Sequence, residues 1–201
     1  MATQRQEART GERPRRADTE RTVMAILAAA ERTLGRDPGA TMEQIAEAAG
    51  VARTTVHRRF ATREALIDAL MAWAIQQFAA AVDAAHADTA PPLVALYQVT
   101  ANVLDVKIGW SFAMSRTASA GPEVARVHAD VQDQCEQLFE RAKQAGILRA
   151  DADIQWARRV YYALIHEATQ DRDGEESTGA LATRVVDTFL RGVGTPHPDR
   201  L

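Results

Sequence analysis

Basic side chains crowd one short stretch of this sequence. In VARTTVHRRF, residues 51–60, Arg53, His57, Arg58 and Arg59 fall within about two helical turns, with the hydroxyls of Thr54 and Thr55 among them. Guanidinium groups present paired donors to guanine edges and to phosphate oxygens, and short hydroxyls reach phosphates, so this mixture suits duplex DNA. A plainer explanation competes with that one. Of the 24 basic residues 22 are arginine, so an arginine cluster can be nothing more than a solvated surface. The element that carries the cluster decides between them.

That element is the second half of a two-helix unit. Thr41 is followed three residues later by Gln44, a capping box at the start of a helix over about Met42 to Ala48. Ala46 is small enough for two helices to cross closely, Gly50 permits the turn, and Val51 and Val56 fill the wedge, with Ile45 and Phe60 extending the core. The third helix then runs from Ala52 to Phe60. At about 100° per residue, Ala52, Val56 and Phe60 share the buried side while Arg53, Thr54, His57 and Arg58 fan across the other. The basic turn therefore reads as the exposed face of a helix-turn-helix.

The stretch TMEQIAEAAGVARTTVHRRFATREALIDAL, residues 41–70, resembles the DNA-binding domain of the TetR (tetracycline-repressor) family of bacterial transcription regulators. The resemblance implies that Thr41 and Thr55 bind phosphate, that Arg53, Thr54 and His57 face the major groove, and that Arg58 and Arg59 lie beside phosphates. It also implies that Arg63, at the start of the fourth helix, is a phosphate clamp. This chain departs from the family pattern at three places: His57 stands for the usual tyrosine, Arg59 for the usual histidine and Ala52 for the usual serine. Its recognition code is thus its own.

The surrounding sequence is that of an all-α protein, with no strand-like alternation and with Gly and Pro between periodic segments. Residues 1–17 carry no apolar period and are expected as a flexible basic arm. Asp18 is a candidate N-cap for a first helix whose Val23, Ile26, Leu27, Ala30 and Leu34 form one stripe, ending at Gly35. Thr62 can cap a fourth helix from Arg63 towards Ala85. Further helices are expected from Leu93 to about Ala118, from Gly121-Pro122 to Gly146, from Ala152 to Gln170 and from Ser177 to Val193. The domain reading is a helix-turn-helix domain over 18–64, a helical effector-binding and dimerisation domain over 65–195, and a tail over 196–201.

Charge follows the same division. Residues 1–64 hold 12 basic and 9 acidic side chains, whereas residues 65–201 hold 12 and 18, so a basic front sits on an acidic body. The single Cys135 excludes an internal disulfide and suits a reducing compartment. With no signal-peptide pattern and no apolar run of membrane-span length, the chain is expected to be cytoplasmic with no membrane partner.

In the second half, aromatic walls with a few polar points would suit a ligand cavity, and Trp73, Tyr97, Asn102, Trp110, Met114, Tyr162 and His166 are the candidates. The competing explanation is ordinary core, and the family resemblance, with its C-terminal effector pocket, favours the cavity. The last two helices carry more apolar surface than one core face needs. Trp156, Val160, Ala163 and Leu164 on one and Val186, Phe189 and Leu190 on the other are expected at a homodimer interface, as in the family. The five histidines lack paired Glu-x-x-His spacing, and no phosphate loop or nucleophile motif occurs, so neither a metal nor another cofactor is expected. The expected function is a dimeric repressor on a palindromic operator, released by a small, mostly apolar effector. A dimeric DNA-binding protein without an effector remains open, and a small helical enzyme is the outlying alternative.

Overall fold

The computed structural model describes residues 3–116, 121–170 and 176–194, with side chains described from Asp18 onward, Glu123 apart. Among these residues there are nine helices: α1 (Thr3–Arg36), α2 (Met42–Ala48), α3 (Arg53–Arg59), α4 (Arg63–Asp83), α5 (Pro92–Gly109), α6 (Ser111–Arg116), α7 (Pro122–Gln144), α8 (Ile154–Gln170) and α9 (Thr178–Val193). The one β-type pairing described is an isolated bridge between Leu148 and Gly194. The fold is all-α, as the spacing predicts. Two compact units divide the chain, Met1–Trp73 and Ala74–Leu201, and the division falls within α4.

The first unit is built on a small apolar wedge. Ile26, Leu27, Ala30 and Leu34 of α1 are buried with Ile45 and Ala46 of α2, Val56 of α3, and Leu66 and Leu70 of α4. Each of these side chains is removed from water almost completely, which supplies roughly 1.5–3 kcal/mol per large aliphatic group before entropy is charged against it. The backbone helix of α1 begins at Thr3, so it covers most of the stretch expected as an arm. Arg, Glu, Gln and Ala favour helix there, whereas Gly11 and Pro14 oppose it, so intrinsic preference alone does not account for the helical backbone. The tail expected over 196–201 lies outside the described residues.

In the second unit α5 packs against α7, α8 and α9, while α8 also meets α7 and α9. The core gathers Leu96, Leu104, Leu138, Phe139, Tyr161, Ile165, Leu181, Val186 and Phe189. Phe139 stacks on Phe189 at 5.0 Å between ring centres, and Tyr161 stands against both at 5.5 Å. The single helix expected from Leu93 to about Ala118 is interrupted: α5 stops at Gly109, Trp110 leaves helical geometry at φ −128°, and α6 restarts at Ser111. Glycine is a weak helix former, which accounts for the break at that point. Helix α4 is long and apolar enough to cross a bilayer by length and composition alone, but Leu66, Leu70, Ala74, Ile75, Phe78 and Val82 are buried within the protein.

Candidate nucleic-acid interface and ligand cavity

The helix-turn-helix is set by its caps and its turn. The Thr41 hydroxyl accepts from the Gln44 amide at 3.3 Å while the Thr41 amide donates to Gln44 Oε1 at 2.7 Å, which completes the capping box. Gly50 sits at φ +67°, a left-handed geometry that glycine adopts without steric cost. Ala46 and Val56 are buried between the helices. Thr62 then caps α4 by accepting from the Ala65 amide at 3.1 Å.

This frame leaves Arg53, Thr54, His57, Arg58 and Arg59 exposed, with Thr41 exposed and Thr55 half-buried. One residue of the buried set is misplaced by the helical projection. Ala52 is exposed, because it is the N-cap of α3, outside helical geometry at ψ 143°. It makes no side-chain capping bond. Arg53 is held across the two helices: its Nε lies 2.8 Å from Glu43 Oε1 of α2 and 3.4 Å from His57 Nε2. Glu43, which sequence reasoning passed over, titrates below its ordinary value, mainly through hydrogen bonding to backbone amide at the helix start, with Thr41 and Arg53 adding to the effect. Arg59 donates to the Thr19 hydroxyl of α1 at 3.1 Å. Arg63 is half-buried and donates to the carbonyls of Ala40, at 3.2 Å, and of Pro38, so it ties the start of α4 to the loop ahead of α2.

The second unit contains a cavity of about 250 Å³. Its walls are Phe78 and Val82 of α4, Val99, Val103 and Lys107 of α5, His128, Val131, Gln132, Gln134, Cys135, Leu138 and Phe139 of α7, and Tyr161, Tyr162 and Ile165 of α8, with Ala87 beside them. Of the expected ligand residues, only Tyr162 lines this space. Trp73 belongs to the first unit. Tyr97 donates its hydroxyl to Asp187 Oδ1 at 2.7 Å, and Asn102 donates to the Ala81 carbonyl at 2.9 Å, so both serve helix packing. Trp110 and Met114 are half-buried where α5 gives way to α6, and His166 is exposed on α8.

The residues missed are informative. The α7 stripe Val131, Cys135 and Leu138 is visible as a periodic run, yet nothing in that run distinguishes a cavity wall from a filled core. Lys107 carries a stronger signal: it is one of only two lysines in a chain of arginines. Burial alone pushes its ammonium pKa down. Burial also lowers His128, with the Lys107 charge adding to it, and the His128 ring stands edge-on to Phe78 at 6.2 Å. Cys135 is a thiol pushed up to about 12 by burial. The Tyr162 hydroxyl is raised by burial first, and its oxygen is enclosed without a well-formed hydrogen bond, near Cys135 and beneath Arg158.

The expected dimer residues separate into two groups. Trp156 is 55% exposed, Ala163 is exposed, and Val160, Leu164 and Leu190 are half-buried. Val186 and Phe189 are not surface residues. They are 0% and 1% exposed within the unit's own core, where Phe189 stacks on Phe139, so their place in the expected interface is corrected. The apolar stripe of α9 is its inward face, and its apolar residues needed no second partner.

A capped two-helix unit presenting an arginine-rich face, joined to a helical unit with its own cavity, defines a helix-turn-helix DNA-binding protein with a separate ligand-sized compartment. The comparisons agree with that class. The family model for bacterial regulatory proteins of the tetR family matches residues 26–70. The repressor LfrR of Mycolicibacterium smegmatis, an HTH-type transcriptional repressor, is 36% identical over 156 residues, covering 76% of this chain and 81% of LfrR. The HTH-type regulator NfxB of Pseudomonas aeruginosa is 27% identical over 169 residues, covering 79% and 87%. The solved structure of LfrR from Mycobacterium smegmatis in complex with proflavine is similar at a TM-score of 0.65 and 30% identity, covering 88% of this chain and 99% of that one. The chain belongs to the TetR family and is a DNA-binding transcriptional regulator rather than an enzyme.

Proposed function

We propose that this regulator represses transcription by binding a palindromic operator as a homodimer, and that a small, mostly apolar molecule in the second-unit cavity releases it. The observation that carries the reading is the pairing of an exposed cationic recognition helix with a cavity whose walls are chiefly apolar and aromatic. LfrR, a named repressor with a solved structure in complex with proflavine, supports it. On this reading Arg53, Thr54 and His57 contact the operator groove, and Thr41, Thr55, Arg58, Arg59 and Arg63 contact or position phosphates. The exposed apolar residues of α8, Trp156 and Ala163, with Val160, Leu164 and Leu190 beside them, meet their symmetry mates.

The test is recovery of bound fragments from genomic DNA, followed by titration of the recovered operator with candidate ligands. An effector that weakens operator affinity a hundredfold must itself bind the operator complex a hundredfold more weakly, a coupling of about 2.7 kcal/mol. Both directions are measured on the same chain. Val131→Phe, which narrows the cavity, is expected to keep operator binding and to lose release. Ligand binding with operator affinity unchanged would reduce the protein to a DNA-binding dimer without an effector.

A further inference from the structure

The cavity's polar lining is one-sided in charge. Lys107 enters from α5 and His128 from α7, and among the described lining residues there is no aspartate or glutamate. Two carboxylates of the same unit have partners elsewhere: Asp83 accepts from Gln134 Nε2 at 3.2 Å, and Glu136 lies 2.9 Å from Arg158 Nε. The Lys107 ammonium is half-buried, desolvation is what perturbs it, and no carboxylate among the described residues lines the cavity to offset it. A half-buried cation without a counter-charge is costly unless an anion arrives to meet it. Tyr162 of α8 adds an enclosed hydroxyl that makes no well-formed hydrogen bond, close to Cys135 and Arg158. The remaining lining is aromatic and aliphatic, and the volume of about 250 Å³ lies just under the usual range for drug-sized ligands.

Resting on the reading of this cavity as the effector site, we propose that its ligand is a small aromatic or alicyclic anion. Its carboxylate meets Lys107 and its one or two rings lie among Phe78, Phe139 and Tyr162. His128, held mostly neutral beside Lys107, offers the anion an N–H donor without adding a second buried charge. A cationic ligand of the same shape has the aromatic rings to stack on, but it must face the Lys107 ammonium with no acid among the described lining residues to offset it.

Three ring-matched probes test this on the full chain without DNA, by titration calorimetry: naphthoate, naphthylmethanol and naphthylmethylammonium. Naphthoate is expected to bind at least about tenfold more tightly than the neutral alcohol, and the ammonium most weakly. Lys107→Met is expected to bring naphthoate down to the level of the alcohol measured on the same variant, and Lys107→Arg to keep most of the preference. The ranking on the unmodified chain needs no variant to fold. An ammonium probe that binds as well as naphthoate, no detectable naphthoate binding, or a preference that survives Lys107→Met overturns the proposal. The two readings fail separately. Naphthoate binding that leaves operator affinity unchanged removes the effector role alone, and a cation that binds and releases the operator removes the anion alone.

Discussion

The operator contact proposed for Arg53 needs a side chain that is already presented, and Arg53 is held by its neighbours. Glu43 holds its Nε from α2 and His57 receives it from the next turn of α3. Both partners are solvent-exposed, so this ion pair is weak and readily given up. A bidentate arginine–guanine contact discriminates by about 1–3 kcal/mol, so exchanging the first for the second is favourable. Arg53→Ala is therefore expected to cost about 1–3 kcal/mol on the true operator and to relax preference at one base pair per half-site. Equal binding of the variant and the unmodified chain across a randomised operator library would exclude that role. The exposed cluster was readable from spacing alone, because period and charge both pointed outward. Glu43 was not, because its importance depends on how closely α2 crosses α3. Nor was the hold of Arg63 on the Ala40 carbonyl, a contact across 23 residues of chain.

At the scale of elements, local chemistry specifies most of what is seen. The Thr41–Gln44 capping box, the Gly50 turn and the Thr62 cap are each fixed by residues within a few positions, and each is found where the sequence places it. Helix α3 is the exception in quality. It has seven residues and starts at Ala52 with no side-chain capping bond, although the backbone there already has the extended geometry of an N-cap. Ala52→Ser is expected to stabilise the protein by about 0.5–2 kcal/mol by supplying the missing acceptor, seen as a higher urea midpoint at an unchanged slope. A midpoint that stays or falls would mean that α3 is limited by something other than its cap. The three basic residues of its last turn already interact favourably with the helix dipole, so the deficit lies at the start. The interruption of α5 was harder to read. Gly109 lies inside an otherwise apolar and periodic run, and a lone glycine weakens a helix without always ending one.

At the scale of the whole molecule, sequence periodicity shows that a helix has an apolar stripe but not what covers it. For α9 the cover is its own unit: Val186 and Phe189 are core, and only α8 keeps a large exposed aromatic, Trp156. Phe189→Glu is accordingly expected to unfold the chain, since it drives a charge into the Phe139–Tyr161 cluster, whereas Trp156→Glu is expected to give a folded monomer with weakened operator binding. Sedimentation with circular dichroism distinguishes the two, and a dimeric, folded Trp156→Glu chain would move the interface elsewhere. The cavity was illegible for a related reason. Tyr161 and Tyr162 are neighbours in sequence and both reach it, while Tyr97, equally amphipathic, is spent on Asp187, and only the mutual placement of α5, α7, α8 and α9 makes that distinction. The lining also has an optical consequence. None of the three tryptophans is among the residues that wall the cavity, whereas two tyrosines and two phenylalanines are. Near-ultraviolet dichroism in the tyrosine and phenylalanine bands would therefore register occupancy directly, and tryptophan emission would register only what occupancy does elsewhere. With Trp73 in the unit that holds the helix-turn-helix and Trp110 and Trp156 in the other, the unmodified chain would, on the proposed function, carry separate colours for a ligand's arrival and for the response to it.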